Sequence, residues 1–414
     1  MLSIYFFKKG EILKKIFLVI ITLLILLSSC SKQDNTNQEN VVDMTHNKKI
    51  IATWITYQEI KELVDASNEE NEFENLVYEK ISMLKEYRIN TIFIHVRAFD
   101  DCFYKSEIYP VSSYCDDENG SLKFDVLQEF IDICKEFDVK VHAWINPYRI
   151  RNDSDTSLIN KQTLAYRILK NDEKEKIIIT DDCIYYNPAY SDVQKYILDG
   201  IREILDNYKV DGIHIDDYFY PTTSENIDKE IFKEYKKQKG PLDLEDFRRY
   251  NVNTLISSIY SLVKSFNADI CFSVSPGGDI YKNYNELYAD IELWLNCDGY
   301  ADYIIPQLYF GYTNDSMPFK NVLNDWIEIC NDNSKLIIGL GIYKSGEEDL
   351  FAKSGKEEWI NNSDIISRQI KDSLDNSVGG ISFYSFSSLT KNSNNIMLIE
   401  ERKGIIKQLE IYDS

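Results

Sequence analysis

Short runs dense in β-branched and apolar residues alternate along this chain with longer stretches whose apolar positions recur every three or four residues. From Lys49 onward the short runs fall at residues 50–56, 91–97, 140–145, 212–216, 270–275, 303–307, 336–340 and 380–384. The longer stretches fall at about 72–87, 124–137, 191–208, 243–266, 286–295, 319–329, 363–373 and 393–409. The first pattern is that of strands and the second that of amphipathic helices. Asp125, Ser191 and Asp243 stand where helix N-caps are expected. Eight strands, each followed by a helix, predict an α/β protein built as a single (β/α)8 TIM barrel. Three connections are long, at residues 100–123, 150–186 and 221–240. All three follow strand ends, the side on which such a barrel builds its functional face.

Strand side chains alternate between two faces, so the residues between the aliphatic ones share the other side. In 91–97 this sends Ile92, Ile94 and Val96 outward and Phe93, His95 and Arg97 inward. In 140–146 Val141, Ala143 and Ile145 go out, leaving His142, Trp144 and Asn146 inside. In 212–216 Ile213 and Ile215 go out while His214 and Asp216 go in, and Ser273, Ser275, Gln307, Ser382 and Tyr384 join the inner set. A core that needs only aliphatic packing gains nothing by burying so many polar groups. A satisfied internal network is one explanation; a cleft for a polar ligand, opening at the strand ends, is the preferred one.

The N-terminus adds a compartment. A twelve-residue apolar run from Ile16 to Leu27, broken only by Thr22, follows four lysines and precedes Leu27-Ser28-Ser29-Cys30. It is too short to span a bilayer comfortably and has the form of a signal peptide over residues 1–29 with a lipobox. Cys30 is then the lipidated first residue, residues 30–48 a polar flexible tether, and 49–414 the catalytic barrel. The expected location is extracytoplasmic and membrane-anchored; an uncleaved signal anchor leaves the folded part in the same place. Among the remaining cysteines Cys102 and Cys115 share one loop and are the candidate disulfide, with buried free thiols as the alternative. Lysines and arginines number 46 against 68 acidic residues, a net charge of −22; loss of Lys8, Lys9, Lys14, Lys15 and Glu11 with the leader takes it to −25. Such a surface repels polyanions, so no nucleic acid is expected as partner.

The segment Asp211-Gly212-Ile213-His214-Ile215-Asp216-Asp217-Tyr218-Phe219-Tyr220-Pro221 concentrates the chemistry. A strand ending in two carboxylates and then aromatics suits hydrolysis of a glycosidic bond, where charge stabilises an oxocarbenium-like transition state and flat rings hold sugars. Asp216 is the first choice for nucleophile or base, with Asp217 at the rim; a loop cap or a cation site is the bland alternative. The general acid must come from elsewhere, with Asp290, Asp101, Glu286 and Asp279 as candidates. Many tyrosines, Tyr218, Tyr220 and Tyr309 among them, stand near strand ends. His95, His142 and His214 fall on inward positions of three successive strands, which raises a metal-dependent hydrolase as an alternative; their depth favours hydrogen bonding instead. No cofactor is expected.

The ordered segments Val96-Arg97 with Asp101, Tyr104 and Pro110; His142 through Arg149; Asn187-Pro188; Asp211 through Pro221; Arg248 through Asn253; Ser275-Pro276; Tyr288-Ala289-Asp290 with Trp294; and Asp302-Tyr303 with Pro306 through Tyr309 resemble the glycoside-hydrolase-like family ten lipoproteins. The resemblance covers nearly all of the mature chain. It implies a (β/α)8 enzyme of the cell envelope that cleaves peptidoglycan strands lacking peptides. It places Asp216 and Asp217 in the family's acidic strand-four motif, and Arg97, Asp101, His142, Asn146, Arg149, Asp290 and Gln307 on its other polar positions. Trp144, His214, Tyr218, Tyr220 and Tyr309 complete the expected substrate-binding set. Departures fall at Ala52-Thr53 before Trp54, at Val111, at Gly277 and at Phe310, and bear on substrate subsites. The same strand is similar to the chitinase pattern of spaced acids, but Tyr218 replaces its last acid and His214 an earlier one, which disfavours substrate-assisted chitinase chemistry. A non-catalytic carbohydrate-binding barrel remains the alternative outside enzymes.

Overall fold

The computed structural model describes residues 49–412; the leader, lipid-attachment and tether readings lie outside them. Eleven strands occur in the described residues: β1 (Ile50–Ile55), β2 (Thr91–Arg97), β3 (Lys140–Ile145), β4 (Arg149–Arg151), β5 (Ile177–Ile179), β6 (Ile184–Tyr186), β7 (Gly212–Ile215), β8 (Cys271–Val274), β9 (Tyr303–Ile304), β10 (Ile337–Leu340) and β11 (Gly380–Phe383). Eight of them form one sheet in the order β10-β11-β1-β2-β3-β7-β8-β9. Its strand pairs are parallel, and single bridges from Ile304 to Leu336 and from Gln307 to Gly339 join the two ends into a barrel. Each of the eight predicted strands is present. β9 is shorter than expected because Pro306 has no N–H to give to a ladder.

Alternation sorts the apolar residues into two layers. Ile92, Ile94, Val96, Ile213 and Ile215 pack against the surrounding helices. Ala52, Trp54, Phe93, Trp144, Tyr303, Ile305 and Ile337 fill the barrel itself. Burial of each large side chain contributes roughly 1.5–3 kcal/mol, so both layers hold the strand ends in place.

Asp125 caps the helix Val126–Glu136 by accepting from Gln128 N, and Asp243 caps Leu244–Phe266 by accepting from Asp246 N. Ser191 does not cap: Tyr190 holds the cap position of Ser191–Asn207, without a side-chain bond. Of the stretch expected as a helix over 286–295 only the part in Ile291–Asn296 is helical; a separate helix, Ile280–Asn285, precedes it, and Tyr288 at φ 56° lies between the two. The long connections are structured: β4, β5 and β6 form a small antiparallel sheet, and Leu164–Lys170 and Lys229–Lys237 are helical. Cys102 and Cys115 are not bridged; both are buried free thiols, with Cys102 Sγ against the Tyr104 and Pro110 carbonyls.

Candidate active site

The barrel floor is built from the inward residues of β1, β2, β3, β7 and β8. Trp54 Nε1 donates to His214 Nε2 at 3.0 Å, which leaves Nδ1 to donate to Ser273 Oγ at 2.8 Å. The His214 ring also stacks on Phe93 at 4.3 Å, and burial holds its pKa well below 6.5. His142 meets Tyr303 OH at 3.3 Å; a Cβ on Gly212 would collide with its ring, so this close approach requires glycine. His95 accepts from Tyr57 N, bonds Asn146 Oδ1 at 3.2 Å and stacks on Trp144 at 3.3 Å. Burial pushes both His95 and His142 down to about 3, so neither carries charge near neutrality. The three imidazoles are thus engaged with different partners. Among the described residues no group of three or more His, Cys, Asp or Glu is placed to hold a metal ion.

Above this floor opens a cleft of about 460 Å³. Trp54, Tyr57, Trp144, Tyr218 and Tyr309 wall it, and Asn146, Arg149, Ser275 and Gln307 supply polar edges. Asp216 follows the last residue of β7 and lies at the bottom, 3% exposed. Its Oδ2 accepts from Trp144 Nε1 at 3.2 Å, while its Oδ1 is buried without a partner. Burial and the charge of Asp217 raise the Asp216 pKa well above the usual carboxylate range, against the opposing pull of Arg149 and Trp144. Asp217 is half-buried; burial raises its pKa too, while hydrogen bonds, including one from Gln307, lower it. Of these neighbouring carboxyls the more deeply buried Asp216 has the larger rise, so it takes up a proton in preference to Asp217.

The cleft continues past Asp217, Tyr218 and Gln307 into a second space of about 710 Å³ beside Cys183, Tyr185, Lys282 and Phe310. Gly277 borders it, and a Cβ there would stand 3.4 Å from Asp217 Oδ2, so the absent side chain leaves room beside the carboxylate. Arg149 stands over the rings of Phe99 at 4.8 Å and Tyr218 at 4.5 Å.

Of the residues expected at the site, the cleft gathers Trp144, Asn146, Arg149, Asp216, Asp217, Tyr218, Gln307 and Tyr309. His142 and His214 form its floor. Arg97 is turned away, contrary to the alternation rule. The register slips between His95 and Arg97, and Arg97 donates to the Asn146 and Pro147 carbonyls, pairs with Asp100 and lies over Tyr109. Asp101 borders a separate cavity of about 390 Å³ with Arg151 and Asn152. Burial raises its pKa to about 6. Asp290 lines none of these spaces: it caps the helix Ile291–Asn296 through Leu293 N. Asp279 caps Ile280–Asn285 at the edge of the larger space. Tyr220 is buried against Arg248 and Tyr288.

Sequence reasoning passed over Trp54, Tyr57, Gln58 and Tyr343 as cleft residues. The first three had a signal: alternation along β1 sends Ala52 and Trp54 inward, and Thr56 and Glu59 form a capping box that starts the helix carrying Tyr57 and Gln58. Tyr343 sits on the turn Ile342–Lys344, which has no such signature.

A family model described as glycosyl hydrolase-like 10 matches residues 49–355. The chain is 28% identical over 326 residues to the glycosyl hydrolase YngK of Bacillus subtilis, covering 73% of this chain and 61% of YngK. It is 28% identical over 319 residues to the glycosyl hydrolase DigH of Escherichia coli, covering 72% of this chain and 71% of DigH. The match thus spans less than two thirds of YngK. In fold it is similar to the PgaB (BpsB) glycoside hydrolase domain from Bordetella bronchiseptica, at TM-score 0.57 and 9% identity, over 86% of this chain and 98% of that one. It is also similar to alpha-L-fucosidase isoenzyme 2 from Paenibacillus thiaminolyticus, at TM-score 0.55 and 11% identity, over 88% of this chain and 50% of that one. At such identities the likeness speaks for the barrel alone.

Proposed function

The chain belongs to the glycosyl hydrolase-like 10 family, and from that premise we propose that it is a glycoside hydrolase of the cell envelope acting on an amino-sugar glycan, peptidoglycan strands in particular. One observation carries the reading: the two carboxyls at the end of β7 share a cleft walled by aromatic rings, one of them sealed with an unpaired oxygen and the other open. A carboxyl whose pKa is raised well above the ordinary carboxylate range is suited to protonate the glycosidic oxygen as its bond to the anomeric carbon breaks. Asp216 takes that role here, in place of the nucleophile or base expected from sequence. Ionised Asp217 stabilises the positive charge that develops on the sugar, and water supplies the new hydroxyl while its remaining proton restores Asp216. The aromatic walls hold the rings. Lipidation at Cys30 would keep the barrel at a membrane surface beside its substrate.

The test is release of soluble fragments from purified peptide-free glycan strands, followed by mass spectrometry, for the wild type and for Asp216→Asn. Fragments from the first and none from the second support the proposal; equal release from both rejects the assignment of Asp216. One observation favours a second reading, a carbohydrate-binding protein: both carboxylates of the smaller cleft come from the end of one strand. Strands that bind the wild type without being cut would establish it.

A further inference from the structure

Half-buried Arg149 differs from the buried arginines Arg97 and Arg248. Arg97 is spent on two carbonyls and Asp100, and Arg248 on Asp228, Tyr288 and two carbonyls. Arg149 lines the smaller cleft and, among the described residues, its side chain makes no hydrogen bond or ion pair with any acceptor; its Nε is buried and unpartnered. Even Asp216 and Asp217, which share the cleft, do not pair with it. Its position is nonetheless held, because its Cζ lies over the rings of both Phe99 and Tyr218. A guanidinium held by rings and left with free N–H groups is prepared for a planar oxyanion, which it can grip through two parallel hydrogen bonds.

We propose that Arg149 is the receptor for a carboxylate carried by the sugar, so that the cleft selects an acidic glycan over its neutral counterpart. This rests on the glycan-cleaving reading and names the substituent it requires. In that setting a muramic acid residue with a free lactyl group presents such a carboxylate; an amide at the same carbon does not. The inference also qualifies the charge argument. A chain of net charge −22 repels anions at long range, and one unpaired cation inside the cleft admits an anion only at that position.

The experiment compares matched oligosaccharides whose carboxylates are free, reduced to the alcohol or converted to the amide. The wild type should cleave the acidic form with a kcat/KM higher on the order of ten- to a hundred-fold, the effect of one charge-assisted pairing. Arg149→Gln should cleave all three alike, and Arg149→Lys should restore part of the preference. If Arg149 served only to tune Asp216 or to hold the fold, its loss would slow all three equally, with the same displacement of each pH profile, and the proposal would fall. Equal cleavage of the three by the wild type, which needs no variant to fold, would also overturn it. Binding of the oligosaccharides to Asp216→Asn gives the same comparison without turnover: the acidic form should bind more tightly. Cleavage of none of them would remove the glycan-cleaving reading and this inference with it, a result distinct from cleavage without preference.

Discussion

His214 and Asp216 stand two residues apart on one strand, face the same interior and are equally hidden from water, at 0% and 3% exposure. Their surroundings are opposite. Both ring nitrogens of His214 are engaged, by Trp54 and Ser273, and burial keeps the ring neutral. Asp216 has one oxygen on Trp144 and one with no partner, beside a second carboxyl. One storey of the barrel uses polarity to hold itself together; the next leaves polarity unsatisfied, at a cost in stability, at the bottom of the cleft. Burial alone therefore does not separate these two residues, whereas the completeness of their hydrogen bonding does.

Substitutions at the two storeys should separate activity from stability. The largest effect belongs to Asp216→Asn, which should lower kcat by roughly 10²–10⁴-fold, the usual worth of a general acid, with an unchanged circular dichroism spectrum. His214→Ala should act on the other axis. It strands the Trp54 N–H and the Ser273 hydroxyl and opens a void, costing about 3 kcal/mol in denaturant unfolding. An Asp216-like loss of activity without that destabilisation would break the comparison.

A smaller effect follows from the raised pKa of Asp216. Because the folded state binds the proton more tightly than the unfolded chain does, stability from this group is fully present below the ordinary carboxylate value. It is lost as pH rises through the folded value. Asp216→Asn removes that slope, so the variant should be more stable than the wild type at pH 7, by roughly 0.5–2 kcal/mol, with the two converging near pH 3 in thermal melts. The smallest effect is expected from Trp144→Phe. The indole N–H favours ionised Asp216, so its loss should move the basic limb of the kcat profile to higher pH. The acidic limb should stay in place, because His95 and His142, held near 3, do not titrate there.

The same contrast explains what could be read in advance. The barrel was legible because strand alternation is local: Ile213 and Ile215 point out, and His214 and Asp216 in, whatever surrounds them. The small sheet of β4, β5 and β6 was not, since strands of three residues leave too short a period to detect. Arg97 shows the rule failing at a β-bulge, where one slipped position sends a side chain to the other face. Asp290 shows a different failure. An acid before an apolar run is the mark of a helix cap as much as of catalysis, and here it caps.

From its sequence alone this protein declared eight strands, their inner and outer faces, and a tandem acid at the end of one of them, because each follows from neighbours within a few residues. Only the tertiary structure decided which carboxyl has its pKa raised further, which histidines are scaffold and which arginine is left open. Those properties depend on burial and on partners such as Trp54 for His214 or Phe99 for Arg149, which the folded chain alone brings together.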